Sequence, residues 1–422
     1  MVAPGLSEPQ GGRAFPRQFW LLAGGLVVLL AGIDMCFPFE TIYLKEEMGV
    51  SVAVIGLLLG LPLFATLPLQ MIGGALADRL GRKPVMLIGA SVIICLYLAY
   101  AFATAVWQIG IAVVAEAGFG WAFFLTGSNA MVADLIPFQR RAEAYSITRV
   151  TLGVGTLIGP LLAGLVLSQT SSYRLLFCIG AAFVFSYLVF AAASFTETRP
   201  ARAREESVRA ALGGYGAVLR DRRFLLFCAI SLPALYGFGQ IWSILPLALR
   251  GAHGISADQW SLLLAFFAAC SALFQYPVVR FLRRRDHFML MAAASILTDG
   301  GLAAAVLLPS GPLTLVSLFG LALGMILLVP IAATIAAGLA PVALRGRYMG
   351  AWTLVQMGGY ALGPTLGGLA ISRLGYTNAY ILCGALGALG MILFVGLARS
   401  LVAAPGIEMR SETVERDNGT EV

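Results

Sequence analysis

Gly74-Ala-Leu-Ala-Asp78-Arg79-Leu80-Gly81-Arg82-Lys83 decides the fold of this chain, because of what lies on either side of it. Its charges, Asp78, Arg79, Arg82 and Lys83, interrupt two stretches, 52–76 and 85–105, that hold no charged residue. At a helical rise of 1.5 Å, about 20 apolar residues cross the roughly 30 Å of bilayer hydrocarbon, and each flank is that long. A charged turn between two such runs is a loop at a membrane surface.

Outward from this loop the pattern continues. The 422 residues are 59% hydrophobic and only 12% charged, about half the charge of an ordinary soluble domain. With a mean hydropathy of +0.88, the chain lacks the polar surface to cover a globule, so lipid is its main solvent. Twelve apolar stretches follow: 19–43, 52–76, 85–105, 107–133, 143–168, 174–195, 223–249, 258–281, 288–308, 312–339, 347–371 and 377–399. None alternates in the manner of a membrane barrel, so each is expected to be a helix. The 49 glycines suit helices packed closely in lipid. Arg13 and Arg17 precede the first run, which exceeds 20 residues without a small-residue cleavage site, so it is expected to be retained as span one.

Net charge is +7. With the N-terminus inside, 24 of the 28 Lys and Arg lie in the tails and even-numbered loops or on the span ends toward them, and only Lys45, Arg174, Arg250 and Arg373 lie in or beside the outer loops. That asymmetry places both termini in the cytoplasm of a multi-pass protein of the cell (plasma or inner) membrane, and it argues against nucleic acid as the partner of the basic residues. The expected division is a tail 1–18, a six-helix bundle 19–195, a cytoplasmic linker 196–222 rich in Arg, a second six-helix bundle 223–399 and a tail 400–422.

The halves repeat. Arg141 to Pro160 spans 19 positions, as does Arg345 to Pro364, and one offset of 204 superposes both features. Duplicated bundles around a midplane site are an architecture of secondary transporters. The fold class is therefore an all-α membrane protein, with twelve helices in two pseudo-symmetric six-helix bundles.

The segment 74–83 resembles, at every defining position, the loop signature of the major facilitator superfamily, and the resemblance covers about residues 19–399. It implies that Gly74, Asp78, Arg79, Gly81, Arg82 and Lys83 form a gating loop, with Asp78 capping the start of span eleven. It also implies that Arg82 pairs with Asp134 at the end of span four, and Arg141, opening span five, is grouped with them. At the offset of 204, Asp78 falls on Leu282, so any latch of this kind is expected on one side only. In span five, Gly155, Gly159, Pro160 and Gly164 look like the antiporter signature of that superfamily, and Gly363, Pro364, Gly367 and Gly368 repeat it in span eleven. Small-residue helix packing alone would also account for these residues. The family's drug antiporters carry an Arg four residues before a Gly-x-Gly in span four; here Gly118-Phe119-Gly120 is present but that position is Val114.

Charges inside a bilayer are costly and mark function. Asp34, Glu116 and Asp299 lie inside spans one, four and nine. The fold implied by the resemblance lines its path with spans one, four, seven and ten, so Asp34 and Glu116 face it, whereas Asp299 on a peripheral span is read as structural. Burial disfavours the charged form of a carboxyl, so an acid in such a place can exchange protons. Asp34 is read as the principal proton site, and Glu116 as assisting it or contacting a cationic substrate; a structural carboxyl bonded to backbone is the other reading of each. Tyr236 and Gln240, four apart in span seven, share a face that either contacts substrate or packs helices.

No cofactor, metal site or enzymatic activity is expected. His253 and His287 stand in different loops, and Cys36, Cys95, Cys178, Cys228, Cys270 and Cys383 lack metal spacing. The reading is a monomeric secondary transporter working by alternating access, a proton-coupled antiporter for multidrug efflux of lipophilic or cationic compounds, with substrate, protons and the lipid bilayer as partners. The alternative is a carrier for a defined metabolite such as a sugar or amino-acid derivative.

Overall fold

The computed structural model describes residues 15–198, 215–282, 285–341 and 344–402. Among these, every regular element is a helix. Ten helices are long and apolar enough to cross a membrane. One of them, Arg345–Arg399, turns at Gly375 (φ 77°, ψ 171°) and is two spans, eleven and twelve. The helix Val52–Leu80 completes the twelve. Span one is Arg17–Glu46, three Arg82–Phe102, four Val106–Leu135, five Arg141–Thr170 and six Tyr173–Ser194. Span seven is Arg222–Ile241 continued by Leu245–His253, eight Ala257–Leu282, nine His287–Leu307 and ten Pro312–Leu339. The linker arginines Arg199, Arg202, Arg204 and Arg209, residues 1–14 and 403–422 of the expected tails, and the surroundings of Gly74 and of the Asp78 side chain lie outside what is described.

Polar side chains start several spans by accepting orphan N–H groups of the first turn. Ser172 Oγ accepts from Leu175 N at 3.2 Å, Asp221 Oδ1 from Arg223 N at 3.0 Å, and Asp286 Oδ1 from Met289 N at 2.8 Å. Large apolar side chains such as Leu273, Phe281 and Val316 stand outward, as they must on a lipid-facing wall.

Span one packs on five and six, and seven packs on eleven and nine; the halves meet where two lies on eleven and five on eight. Both glycine–proline motifs serve these contacts, in matching ways. A Cβ on Gly159 would stand 2.7 Å from Met35 N, and one on Gly363 2.5 Å from Gly239 C, so five and eleven press their backbones on one and seven. Gly164 faces Ser261 of span eight, and a Cβ on Gly368 would stand 2.6 Å from Val52 O of span two. Met35 and Gly239 are themselves 204 positions apart, so the repeat seen in sequence is a repeat of packing.

Candidate functional site

Between the halves lies a cavity of about 340 Å³. Asp34, Phe37 and Glu40 of span one, Tyr97 of three, Glu116 and Trp121 of four, Phe238 and Trp242 of seven and Tyr360 of eleven are among its walls. Phe238 and Tyr360 stack at 4.1 Å between centroids, with 14° between planes. Aromatic faces and carboxylates in an apolar pocket attract cations. No Lys, Arg or His lines the cavity among the described residues.

Asp34 and Glu116, singled out from sequence, meet in this one cavity. Asp34 is buried where Gly159 lets span five close on span one, and the Thr156 hydroxyl of span five reaches it. Glu116 has a second attachment that the sequence did not announce. Span four breaks at Gly120 (φ −82°, ψ −99°), and the Glu116 carboxylate accepts the Trp121 N–H at 3.2 Å, capping the second segment. Val114, at the position of the family's arginine, is 59% exposed and does not line the cavity.

A third acid, Glu40, was missed. It is 2% exposed, its Oε2 accepts the Tyr100 hydroxyl at 3.1 Å, and its Oε1 has no hydrogen-bond partner. The signal was present as an acid inside the apolar run Phe37–Leu44, but it sits near the end of span one, where an acid reads as belonging to the loop.

Tyr236 and Gln240 share a face, and of the two readings left open for it the geometry is that of helix packing, because it is turned away from the cavity. Gln240 is 2% exposed, its Nε2 lies 3.6 Å from Cys383 Sγ of span twelve, and neither residue lines the cavity. Span seven presents Phe238, about half a turn away, and Gly239 to the cavity instead, with Trp242 and Ser243 just past the end of the helix at Ile241. Asp299 is fully buried, without a hydrogen-bond partner for either oxygen, in notches at Gly237 and Gly387. It stands outside the cavity, as its peripheral span implied.

One end of the first bundle is tied by the motif loop. Arg82 Nε donates to Asp134 Oδ2 at 2.9 Å, the pairing that the family resemblance implied. Arg82 N and Lys83 N donate to the Glu197 carboxylate at 2.8 and 3.1 Å, so an acid after span six caps span three. Lys83 Nζ donates to the carbonyls of Ala192 and Phe195 at 2.7 and 2.8 Å. Gly81, at φ 111°, has the backbone that favours glycine, and a side chain there would strike Glu197. Arg141 Nη2 donates to Ala133 O at 2.7 Å, closing the end of span four.

The opposite end joins the halves. Glu46 pairs with Arg250, and Gly56 and Gly60 of span two press on the backbone of Pro364 and Ala361. Toward the motif end, among the described residues, Gly358 has only Phe64 near it, at 3.8 Å, and Gly338 and Gly346 have nothing within 4 Å. The close approaches between halves among the described residues gather at the end that carries Glu46 and Arg250 and shut it.

Known proteins agree with this architecture. The multidrug resistance protein MdtH of Klebsiella pneumoniae subsp. pneumoniae is 30% identical over 408 residues, 93% of this chain and 96% of that protein. MdtH of Yersinia pestis (strain Pestoides F) is 32% identical over 361 residues, 83% of this chain and 86% of that protein. Among solved structures, a mutant of the nucleoside transporter NupG superposes with a TM-score of 0.76 at 15% identity, over 90% of this chain and all of that one (100%). A bacterial homologue of the human lysosomal transporter Spinster, inward-facing and occupied, gives 0.69 at 17% identity over 91% and 95% of the two chains. At these identities the structural likeness speaks for the fold alone. The family model described as Major Facilitator Superfamily matches residues 22–241 and again 231–409. Two halves built to one plan, each under its own match, make the chain a member of the Major Facilitator Superfamily.

Proposed function

We propose that the protein exports lipophilic cations by alternating access, exchanging them for protons. The observation that carries this reading is the cavity: aromatic and apolar walls, the acids Asp34, Glu40 and Glu116, and no basic group among its described lining residues. Buried carboxylates without counter-charge are costly. They are neutralised either by protons or by a positively charged solute, and a site that holds one or the other couples the two flows. The relatives named multidrug resistance proteins support efflux of chemically varied compounds.

In this reading Asp34 is the principal proton site, and Glu116 receives the charge of the solute. The loop 78–83, the linker 196–222 and both termini are cytoplasmic, as the basic asymmetry requires. The protein works as a monomer in the inner membrane. The shut end is then the outer one, and the cavity belongs to the inward-facing state. A carrier for a polar metabolite would set hydrogen-bonding side chains on the path; the turning of Tyr236 and Gln240 away from the cavity weighs against it.

Proteoliposomes with an imposed pH gradient, offered dyes, cationic drugs and sugars, test this. Cationic dyes should move against the proton flow, and Asp34→Asn should abolish the dependence on the gradient. Dye movement indifferent to the gradient, or sugar movement in place of dye, would overturn the reading.

A further inference from the structure

We infer that Glu40 is the acid through which a cation in the cavity is felt at the Glu46–Arg250 pair. The inference rests on the proposed transport of cations and assigns this acid a task distinct from that of Asp34 and Glu116.

Glu40 and Glu46 are the first and last residues of one short helix, set off from the rest of span one by the turn Phe37–Phe39 at Pro38. Six steps of 1.5 Å separate them by about 9 Å. Tyr43 lies three residues from each, on the shared side. Each acid is held by a tyrosine hydroxyl. Tyr100 of span three donates to Glu40 Oε2 at 3.1 Å, and Tyr173 of span six donates to Glu46 Oε2 at 3.3 Å. The Tyr43 ring stands edge-on between them, its centroid 5.9 Å from that of Tyr100 and 6.1 Å from that of Tyr173. Phe177 fills the angle, stacked on Tyr100 at 4.9 Å and edge-on to Tyr43 at 5.2 Å. An unbroken set of hydrogen-bonded and packed groups therefore runs from a cavity acid to an ion pair between the halves.

The polar groups facing Glu40 are Asp34 and Cys36 of its own span, Tyr97 and Tyr100 of span three and Glu116 of span four. None is a cation. A positive solute entering this low-dielectric pocket attracts the Glu40 carboxylate, whose Oε1 is unpartnered, and competes with Tyr100 for it. Release of Tyr100 unseats Tyr43 and with it Tyr173, leaving Glu46 and Arg250, each about one-third exposed, without that support. A pair that exposed is weak, so a small loss of support shifts the balance toward opening. Tyr100, Tyr43 and Tyr173 are positioning residues in this scheme.

The test reads the seam directly. Val50, 6% exposed, four residues after Glu46 and bonded through its N–H to Leu44 O, is changed to Cys after Cys95→Ala and Cys178→Ala, and labelled with a membrane-impermeant maleimide from the outer side. Saturating tetraphenylphosphonium should speed labelling by up to about fivefold, the most that loosening so exposed an ion pair releases. Glu40→Gln and Tyr100→Phe should remove the acceleration at tetraphenylphosphonium concentrations that equilibrium dialysis shows to saturate each variant; Tyr43→Phe, which keeps the ring, should retain it. Unchanged acceleration in Glu40→Gln or Tyr100→Phe overturns the inference. If the parent binds no tetraphenylphosphonium, the cation-transport reading fails, and the link is judged with protons as the probe. Labelling that, normalised at each pH to that of the detergent-denatured protein, differs between acid and alkaline pH in the parent and not in Glu40→Gln upholds it. A parent-like pH response in Glu40→Gln, or a parent that responds to neither probe, overturns it.

Discussion

Glu46 and Arg250 form an ion pair across the seam between the halves, and they are 204 positions apart, the offset that also relates Pro160 to Pro364. The pair therefore lies on the pseudo-two-fold axis, where one position of an ancestral repeat meets its own copy. Like charges there would repel, so the two copies had to diverge in sign. Reversal should be harmless: Glu46→Arg with Arg250→Glu restores the pair. Glu46→Arg alone sets two arginines together and should favour the open seam, shown by faster labelling of Val50→Cys. For side chains this exposed the pair contributes about 0.2–1 kcal/mol, a shift of up to about fivefold.

Glycine contacts supply more of the closure than the charges do. A Cβ on Gly56 would strike the Pro364 carbonyl and stand 3.1 Å from Gly368 Cα. Both obstacles are backbone, which cannot rotate aside as a side chain can. Gly56→Ala should hold spans two and eleven apart, leaving normal membrane levels but transport reduced by tenfold or more, about 1.4 kcal/mol or above. Gly153→Ala, with nothing within 4 Å of the new methyl, is the control and should transport as the parent does.

Glu116 performs two tasks that separate by substitution. Its carboxylate faces the cavity and also accepts the Trp121 N–H after the break at Gly120. Glu116→Gln removes the charge but keeps an acceptor oxygen, so thermal stability in detergent should hold while transport of cations falls. Glu116→Ala removes both and should in addition cost about 0.5–2 kcal/mol of stability, the range for a lost cap. Equal thermal stability of the two variants would count against the capping role.

The spans and the repeat were legible because hydropathy and glycine spacing are local in sequence. Asp34 and Glu116 were legible because a charge in an apolar run stands out. Glu40 was not, since its significance comes from Pro38, which ends the regular helix and starts a second one whose first residue turns to the cavity. Tyr236 and Gln240 stayed open between substrate contact and packing because polarity shows which face of span seven differs, not which way it turns; Gln240 packs on Cys383 of span twelve and Gly367 of span eleven, and Phe238 and Trp242 line the cavity. Glu197 was illegible for another reason. It lies 115 positions from Arg82, and only the fold brings its carboxylate to the start of span three.

That last contact yields a prediction about coupling. Gly81 costs nothing at φ 111°, whereas an L side chain in that region is strained by about 1–3 kcal/mol. Gly81→Ala adds a clash with the Glu197 carboxylate, and Glu197→Ala exposes the unpaired N–H groups of Arg82 and Lys83. Each variant should lower the thermal midpoint in detergent, by about 1 °C per kcal/mol in a chain of this size. The double variant should lose less than the two single losses together, because removing the Glu197 side chain also removes the clash and leaves only the backbone strain at position 81. Additive losses would mean that the alanine at 81 does not meet Glu197, and that the carboxylate caps span three from another direction.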